Sequence, residues 1–287
     1  MGIKMRLPDV IGIGSPRSGT TWLSNLLNHH PDIYFAPYFK EIHFFDNNYK
    51  RGLKWYSKFY HKIPENKICF DYTPGYMKNY KIGNLIKQMS PKIKLIVCIR
   101  NPIQRAFSHY MQRNRFENWE FDFDKTVQYN SKNILDYGLY GSQLKKVLEN
   151  FSKEQIHIIF FEDLIINTEN IISDVFNFLE IPNFKVEINT TDIGKNSMKK
   201  IHFKPLKQTI RFIRSLCRKY YLFRIIFYQL FPGDKMLKFI SKINTKNQIL
   251  TKTKISIKTK KYLKEYYCQD KILLEQILGR EIVCWDD

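Results

Sequence analysis

Four short runs constrain the fold more than anything else in this chain. Val10-Ile11-Gly12-Ile13-Gly14, Lys67–Asp71, Ile93–Ile99 and Ile156–Phe160 are of strand length, and most of them are apolar nearly throughout, as strands covered on both faces are. Each is followed by residues whose apolar positions recur at helical spacing: Thr20–His29, Ile82–Met89, Pro102–Arg115, Gly138–Phe151 and Glu169–Leu179. Strands alternating with helices predict an α/β chain with a central parallel sheet and helices on both faces. At 287 residues one core suffices. The expected organisation is a single domain, 1–287: an α/β core over 8–200, a basic helical insertion or lid over 201–255, and a C-terminal helix and tail over 256–287.

Charge narrows the partners. The chain carries +20, from 47 Lys and Arg against 27 Asp and Glu, which favours an anionic ligand or surface. The excess is concentrated: residues 195–262 hold 19 basic residues and one acid, Asp234. Five cysteines without a C-x-x-C spacing give neither a disulfide framework nor a zinc site, and no metal is expected. The first residues lack the apolar core of a signal peptide. The greasiest later run, Tyr220 to Phe231, contains Arg224 and falls short of the roughly 20 residues that span a bilayer. A cytoplasmic location is therefore expected.

The first strand runs into Gly14-Ser15-Pro16-Arg17-Ser18-Gly19-Thr20-Thr21, which opens a helix. A G-x-x-x-x-G-x-T loop in that position aims backbone N–H groups and a helix N-terminus at one anion, the arrangement of a P-loop-type three-layer α/β/α fold. A Walker A loop has Lys where this chain has Thr20, and the cation sits inside the loop at Arg17. Without that Lys and without a clear Walker B acid, a P-loop kinase is not supported. The third strand ends in Ile99-Arg100-Asn101-Pro102, with Ser108 eight residues beyond Arg100. Strand ends are where open α/β sheets hold ligands.

The two segments in this order, GSPRSGTTW after one strand and I-R-N-P-x-x-R-A-x-S-x-Y after another, resemble the sulfotransferases that use 3′-phosphoadenosine 5′-phosphosulfate. The resemblance implies that the first loop, Arg17, Ser18, Gly19, Thr20, Thr21 and Trp22, holds the 5′-phosphosulfate, and that Arg100 and Ser108 hold the 3′-phosphate. Arg17 would also neutralise charge growing on the leaving phosphate. Between them, Lys40-Glu41-Ile42-His43-Phe44-Phe45-Asp46 and Asp71-Tyr72-Thr73-Pro74-Gly75-Tyr76 are similar to the heparan sulfate branch of that family. By this resemblance Glu41 is the catalytic base and His43 its neighbour or a substrate contact. If the segment is extended, Glu41 and His43 face the same side. Asp71-Tyr72 stands where relatives often carry Glu-Lys.

Lys195, followed by Asn196, Ser197, Lys199 and Lys200, is placed by the same resemblance to close over the nucleotide. Leu274 to Arg280 and Trp285 look like the family's closing helix. The expected reaction is sulfuryl transfer from the donor nucleotide to a hydroxyl of a carbohydrate or glycolipid acceptor, with peripheral contact to an anionic membrane surface as an added partner and nucleic acid not expected. The alternative is a non-enzymatic protein that binds nucleic acid or a membrane surface through 195–262. Its aromatics recur at helical spacing, which an apolar helix face explains more simply than base stacking.

Overall fold

The computed structural model describes residues 5–36, 41–117, 122–129, 132–185 and 255–285, with scattered helical positions between 212 and 230. The expected lid over 201–255, Lys195 and the rest of the basic segment lie almost wholly outside these residues.

Five strands form one parallel sheet: β1 Val10–Gly14, β2 Ile33–Phe35, β3 Ile68–Tyr72, β4 Lys94–Ile99 and β5 Ile156–Phe160, in the order β2-β3-β1-β4-β5. The register sets Val10 beside Phe70 on one side and Lys94 on the other. β1 is thus central, with the chain passing to β2 and β3 on one flank before β4 and β5 on the other. Adjacent strands that lead away in opposite directions leave a crevice at their C-terminal ends.

Alternation along the strands builds two cores. Ile11, Ile13, Leu95, Val97 and Ile99 face one side, where they pack with the short α2 (Leu53–Tyr56), α3 (Tyr80–Met89), α7 (Tyr140–Leu148) and the aromatic residues of 44–60. Val10, Ile96, Cys98 and Ile159 face the other, against α1 (Thr20–Leu27), α8 (Phe161–Ile166) and α9 (Thr168–Leu179). A third cluster joins α4 (Pro102–Glu117), α5 (Phe123–Tyr129), α6 (Lys132–Leu135) and the long α10 (Ile257–Leu278). No helix among the described residues is long and apolar enough to cross a membrane.

The anticipated strands and long helices are present, with ends that agree or are displaced by at most three residues. The three-residue β2, the short α5 and α6, and α8 were not anticipated. β2 is too brief to show a period, and the Phe161-Glu162-Asp163-Leu164 start of α8 reads as the end of a strand.

α10 is fixed by one buried carboxylate. Asp270 accepts from Gly141 N at 2.8 Å, Ser142 N at 2.8 Å and Ser142 Oγ at 2.6 Å. It therefore caps the N-terminus of α7 from another helix, satisfying N–H groups that have no partner inside α7. The helices meet closely at this point: a Cβ on Gly141 would lie 2.4 Å from the Asp270 carbonyl oxygen.

Candidate functional site

Because every strand runs the same way, the segments that follow them emerge at one edge of the sheet. Ser15–Gly19 follows β1, Thr73-Pro74 follows β3, Arg100 follows β4 and Phe161-Glu162 follows β5. The two segments that sequence reasoning paired are in contact: Arg17 Nε donates to Ser108 Oγ on α4 at 3.1 Å.

The loop after β1 is pinned from below. Ser15 N donates to Cys98 O at 2.6 Å, Cys98 Sγ to Ser18 O at 2.7 Å, and Ser15 Oγ to Tyr137 O at 3.1 Å. Two of its residues are left-handed, Arg17 with φ 73 and Gly19 with φ 79. For Arg17 that conformation costs about 1–2 kcal/mol, and such outliers persist where surroundings enforce them. At Gly19 a side chain is also excluded by space, since a Cβ would lie 2.5 Å from the Phe161 ring. Ser18 and Thr20 are buried, whereas Thr21 is exposed and Trp22 half-buried.

Arg100 leaves the end of β4 with its guanidinium 4.6 Å over the Phe161 ring and donates to Gln104 Oε1 at 3.2 Å. Its turn is braced on all sides. Tyr140 OH donates to Arg100 O at 2.9 Å, Asn101 N to Glu162 Oε1 at 2.9 Å, and Asn101 Nδ2 to Trp285 O at 3.3 Å. Trp285 Nε1 in turn donates to Glu162 Oε2 at 3.2 Å.

A third arginine, which sequence reasoning gave no role, completes the group. Arg105 is fully buried; it donates to Ile134 O and approaches His109 Nδ1 at 3.5 Å. Among the described residues no carboxylate pairs with it. The cations press on one another: burial, then Arg100 and Arg105, lower the pKa of Arg17. His109 is pushed down to about 3 by burial and by Arg105, Arg113, Arg17 and Lys78, so its imidazole is neutral. Like charges gathered with one nearby carboxylate, Glu162 beside Arg100, make a site suited to a multiply charged anion. Two buried guanidinium atoms support this, for among the described residues Arg100 Nε and Arg105 Nε have no hydrogen-bond partner, as expected where a ligand is meant to supply one.

The acceptor-side residues form a separate cluster. His43 Nε2 lies 3.3 Å from Glu41 Oε2 and His43 Nδ1 2.8 Å from Asp46 Oδ2. Glu41 and His43 lie side by side, but the segment is not extended. His43 has φ 55 and ψ 41, and the chain folds into a tight turn at Phe44–Asn48 that brings Asp46 back. Burial by itself would lower the His43 pKa, yet the bonds to Asp46 and Glu41 outweigh it and raise it to about 9. At neutral pH His43 is an imidazolium between two carboxylates, and Glu41 is 42% exposed. Of the two carboxylates on the imidazolium, Glu41 is the more accessible and Asp46, 28% exposed, the less. Asp46 was missed as a partner, although its i+3 spacing from His43 was visible.

A model of the sulfotransferase domain matches residues 7–216. The chain is 33% identical over 193 residues to heparan sulfate glucosamine 3-O-sulfotransferase 5 of Mus musculus, which covers 62% of this chain and 54% of that protein. It is 38% identical over 109 residues to heparan sulfate glucosamine 3-O-sulfotransferase 6 of Homo sapiens, covering 38% of this chain and 31% of the relative. The chain thus spans about half the length, or less, of these curated relatives. The solved structure of a sulfotransferase from Alicyclobacillus acidocaldarius superposes with a TM-score of 0.71 at 19% identity, over 98% of this chain and 100% of that one, so the fold is shared. With the family match running from before β1 to beyond α9 and taking in both segments of the cationic site, this chain belongs to the sulfotransferase domain family.

Proposed function

We propose that the chain transfers a sulfuryl group from 3′-phosphoadenosine 5′-phosphosulfate to a hydroxyl of a carbohydrate or glycolipid acceptor. The observation that carries this reading is the Arg17–Ser108 contact at 3.1 Å, which joins the loop after β1 to the helix after β4 inside one cationic group. The residues suit a nucleotide with phosphates at both ends. Arg17, Ser18, Gly19, Thr20 and Thr21, with Trp22 beside them, would hold the 5′ end; Arg100 and Ser108 would hold the 3′-phosphate, and Lys195 would close over the nucleotide. The bound nucleotide supplies an activated sulfuryl group and a phosphate leaving group.

The chain's own part is positioning and charge. Arg17 and the loop N–H groups would stabilise the oxygen on which negative charge grows, a contact of the kind whose loss costs about 10²–10³ in rate. Glu41 accepts the proton of the acceptor hydroxyl, which is far too weak an acid to lose it unaided. His43, already protonated, orients Glu41 rather than acting as base.

The reading is tested by calorimetry with adenosine 3′,5′-bisphosphate and by incubation with ³⁵S-labelled donor and a panel of saccharides, glycolipids and small alcohols. Binding that is lost in Arg100→Glu, together with label transfer that Glu41→Gln abolishes, is the expected result. No nucleotide binding by the unaltered chain would overturn it. Transfer to glycolipids but not to glycosaminoglycans would narrow the acceptor class.

A further inference from the structure

One buried acid near the site is unexplained by the chemistry above. Asp71 lies near the end of β3 and is 1% exposed. Among the described residues no lysine or arginine pairs with it. Burying a carboxylate without a cation is costly, so an apolar residue would serve the core better. Three donors converge on it instead. Tyr56 OH donates to Oδ2 at 2.7 Å, Thr73 Oγ1 to Oδ1 at 3.0 Å, and the backbone N–H of Ile42 also donates to the carboxylate.

The third donor gives the feature its meaning, for Ile42 is the residue between Glu41 and His43. The Thr73 hydroxyl that donates to Asp71 also accepts from His43 N at 3.5 Å. Tyr56 stacks on Phe44 with ring centroids 4.2 Å apart, and Phe45 N donates to Tyr76 OH at 3.3 Å. The segment that carries the candidate base is therefore fastened to β3 through one carboxylate and its hydroxyl partners.

We propose that Asp71 is a positioning residue: its buried carboxylate fixes the Ile42 peptide and so sets the direction in which Glu41 meets the acceptor hydroxyl. The proposal rests on the assignment of Glu41 as the base. An acid is required rather than an amide because three donors need an acceptor on both oxygens. Asn would turn an NH₂ group toward one of them. The titratable groups facing Asp71 are Tyr56, Tyr60 and Tyr76 from the aromatic layer, and His43 from the turn. Burial raises the Asp71 pKa to about 6, while Tyr56, Thr73, His43 and the Ile42 N–H oppose that rise, so the carboxylate is ionised at neutral pH.

The test uses Asp71→Asn and Tyr56→Phe in the full chain, with three measurements. Affinity for adenosine 3′,5′-bisphosphate reports an intact donor site and is expected to stay within about twofold of the unaltered chain. The His43 ring titration, followed by NMR, is expected to fall from about 9 toward the ordinary histidine value in Asp71→Asn and part of the way in Tyr56→Phe. With labelled donor and acceptor, kcat is expected to drop by about 10² in Asp71→Asn with KM little changed, the scale of loss when a reacting group is misplaced by about an ångström. An unmoved His43 titration, or unchanged kcat, in variants that still bind the nucleotide would overturn the proposal. If Asp71→Asn does not fold, Tyr56→Phe decides by the same readouts. Failure of the sulfotransferase reading is distinguishable, because the unaltered chain would then neither bind the nucleotide nor transfer label, while the His43 titration would still report whether Asp71 holds the turn.

Discussion

Gly19→Ala is a small change with a large expected cost, and the structure shows where that cost falls. The residue is left-handed, with φ 79, so any side chain costs about 1–2 kcal/mol in backbone strain. The new methyl group would meet Phe161 Cδ2 at 2.5 Å and Cε2 at 2.6 Å, against about 3.5–4.0 Å for an ordinary carbon contact. Phe161 is 8% exposed and wedged in the core between α1 and α9, so it has little room to retreat; overpacking of this kind costs about 1–3 kcal/mol. The sum is about 2–5 kcal/mol, or a fall in melting temperature of roughly 3–8 °C for a domain of this size. A second effect follows from what the ring supports. Phe161 carries the Arg100 guanidinium at 4.6 Å, a cation–π contact of about 0.5–2 kcal/mol, so displacing it should weaken nucleotide binding by roughly 2- to 30-fold. Thermal melts and calorimetry with adenosine 3′,5′-bisphosphate measure both. The double variant Gly19→Ala/Phe161→Leu isolates the clash: it should be more stable than additivity of the single changes allows. A Gly19→Ala chain that melts with the unaltered one, or a double variant whose losses simply add, would refute the argument.

Other outcomes follow from the same geometry. Activity should decline as pH rises through about 9, when His43 loses the proton that ties it to Glu41 and Asp46; a kcat profile still rising past pH 10 would contradict this. The folded-state His43 pKa lies above the unfolded value, so its stabilising contribution is complete below about pH 6.5 and lost as pH rises through about 9. Asp71 has the same sign. With its pKa raised from 3.8 to about 6, the folded state loses stability as pH rises from about 4 to about 6, and Asp71→Asn should flatten that part of a stability–pH curve measured by denaturant titration. Asp270→Ala should cost about 1–3 kcal/mol by leaving the buried Gly141 N–H without its partner, with faster hydrogen exchange at the start of α7 as its signature. Arg105→Met should weaken nucleotide binding severalfold by removing a buried charge that touches no expected ligand residue; equal affinity would show that its field does not reach the donor site.

Local signals made the strands and the loop after β1 legible. The strand runs announce themselves by length and apolar content, and a loop bounded by Gly14 and Gly19 with Arg17 inside it reports its geometry within eight residues. What escaped depends on contacts made across the fold. Asp71 looked like a mere departure from a pattern until Tyr56 and the Ile42 peptide were seen to converge on it. Arg105 lies inside a segment already singled out, yet only burial against Ile134 and His109 separates it from a surface cation. Glu41 and His43 were expected to face the same side of an extended segment; the side chains meet instead where His43 turns left-handed. The character of His43 as a cation depended on Asp46 folding back to it, which spacing alone does not fix.

The brace around Arg100 also orders the chain's history in time. Asn101 and Trp285 are separated by 184 positions, and Asp270 is separated from Gly141 by 129. A chain emerging from the ribosome can build the sheet and the loop after β1 well before either partner exists. During that interval the Arg100 turn has no hold from Trp285 and α7 no cap from Asp270, so the nascent protein should not retain nucleotide. Contacts this distant close late and slow the final step of folding. Arrested chains ending before residue 256 should therefore fail to bind adenosine 3′,5′-bisphosphate, while chains released after Trp285 should bind it; capture of the shorter chains on immobilised nucleotide would show that the brace is dispensable.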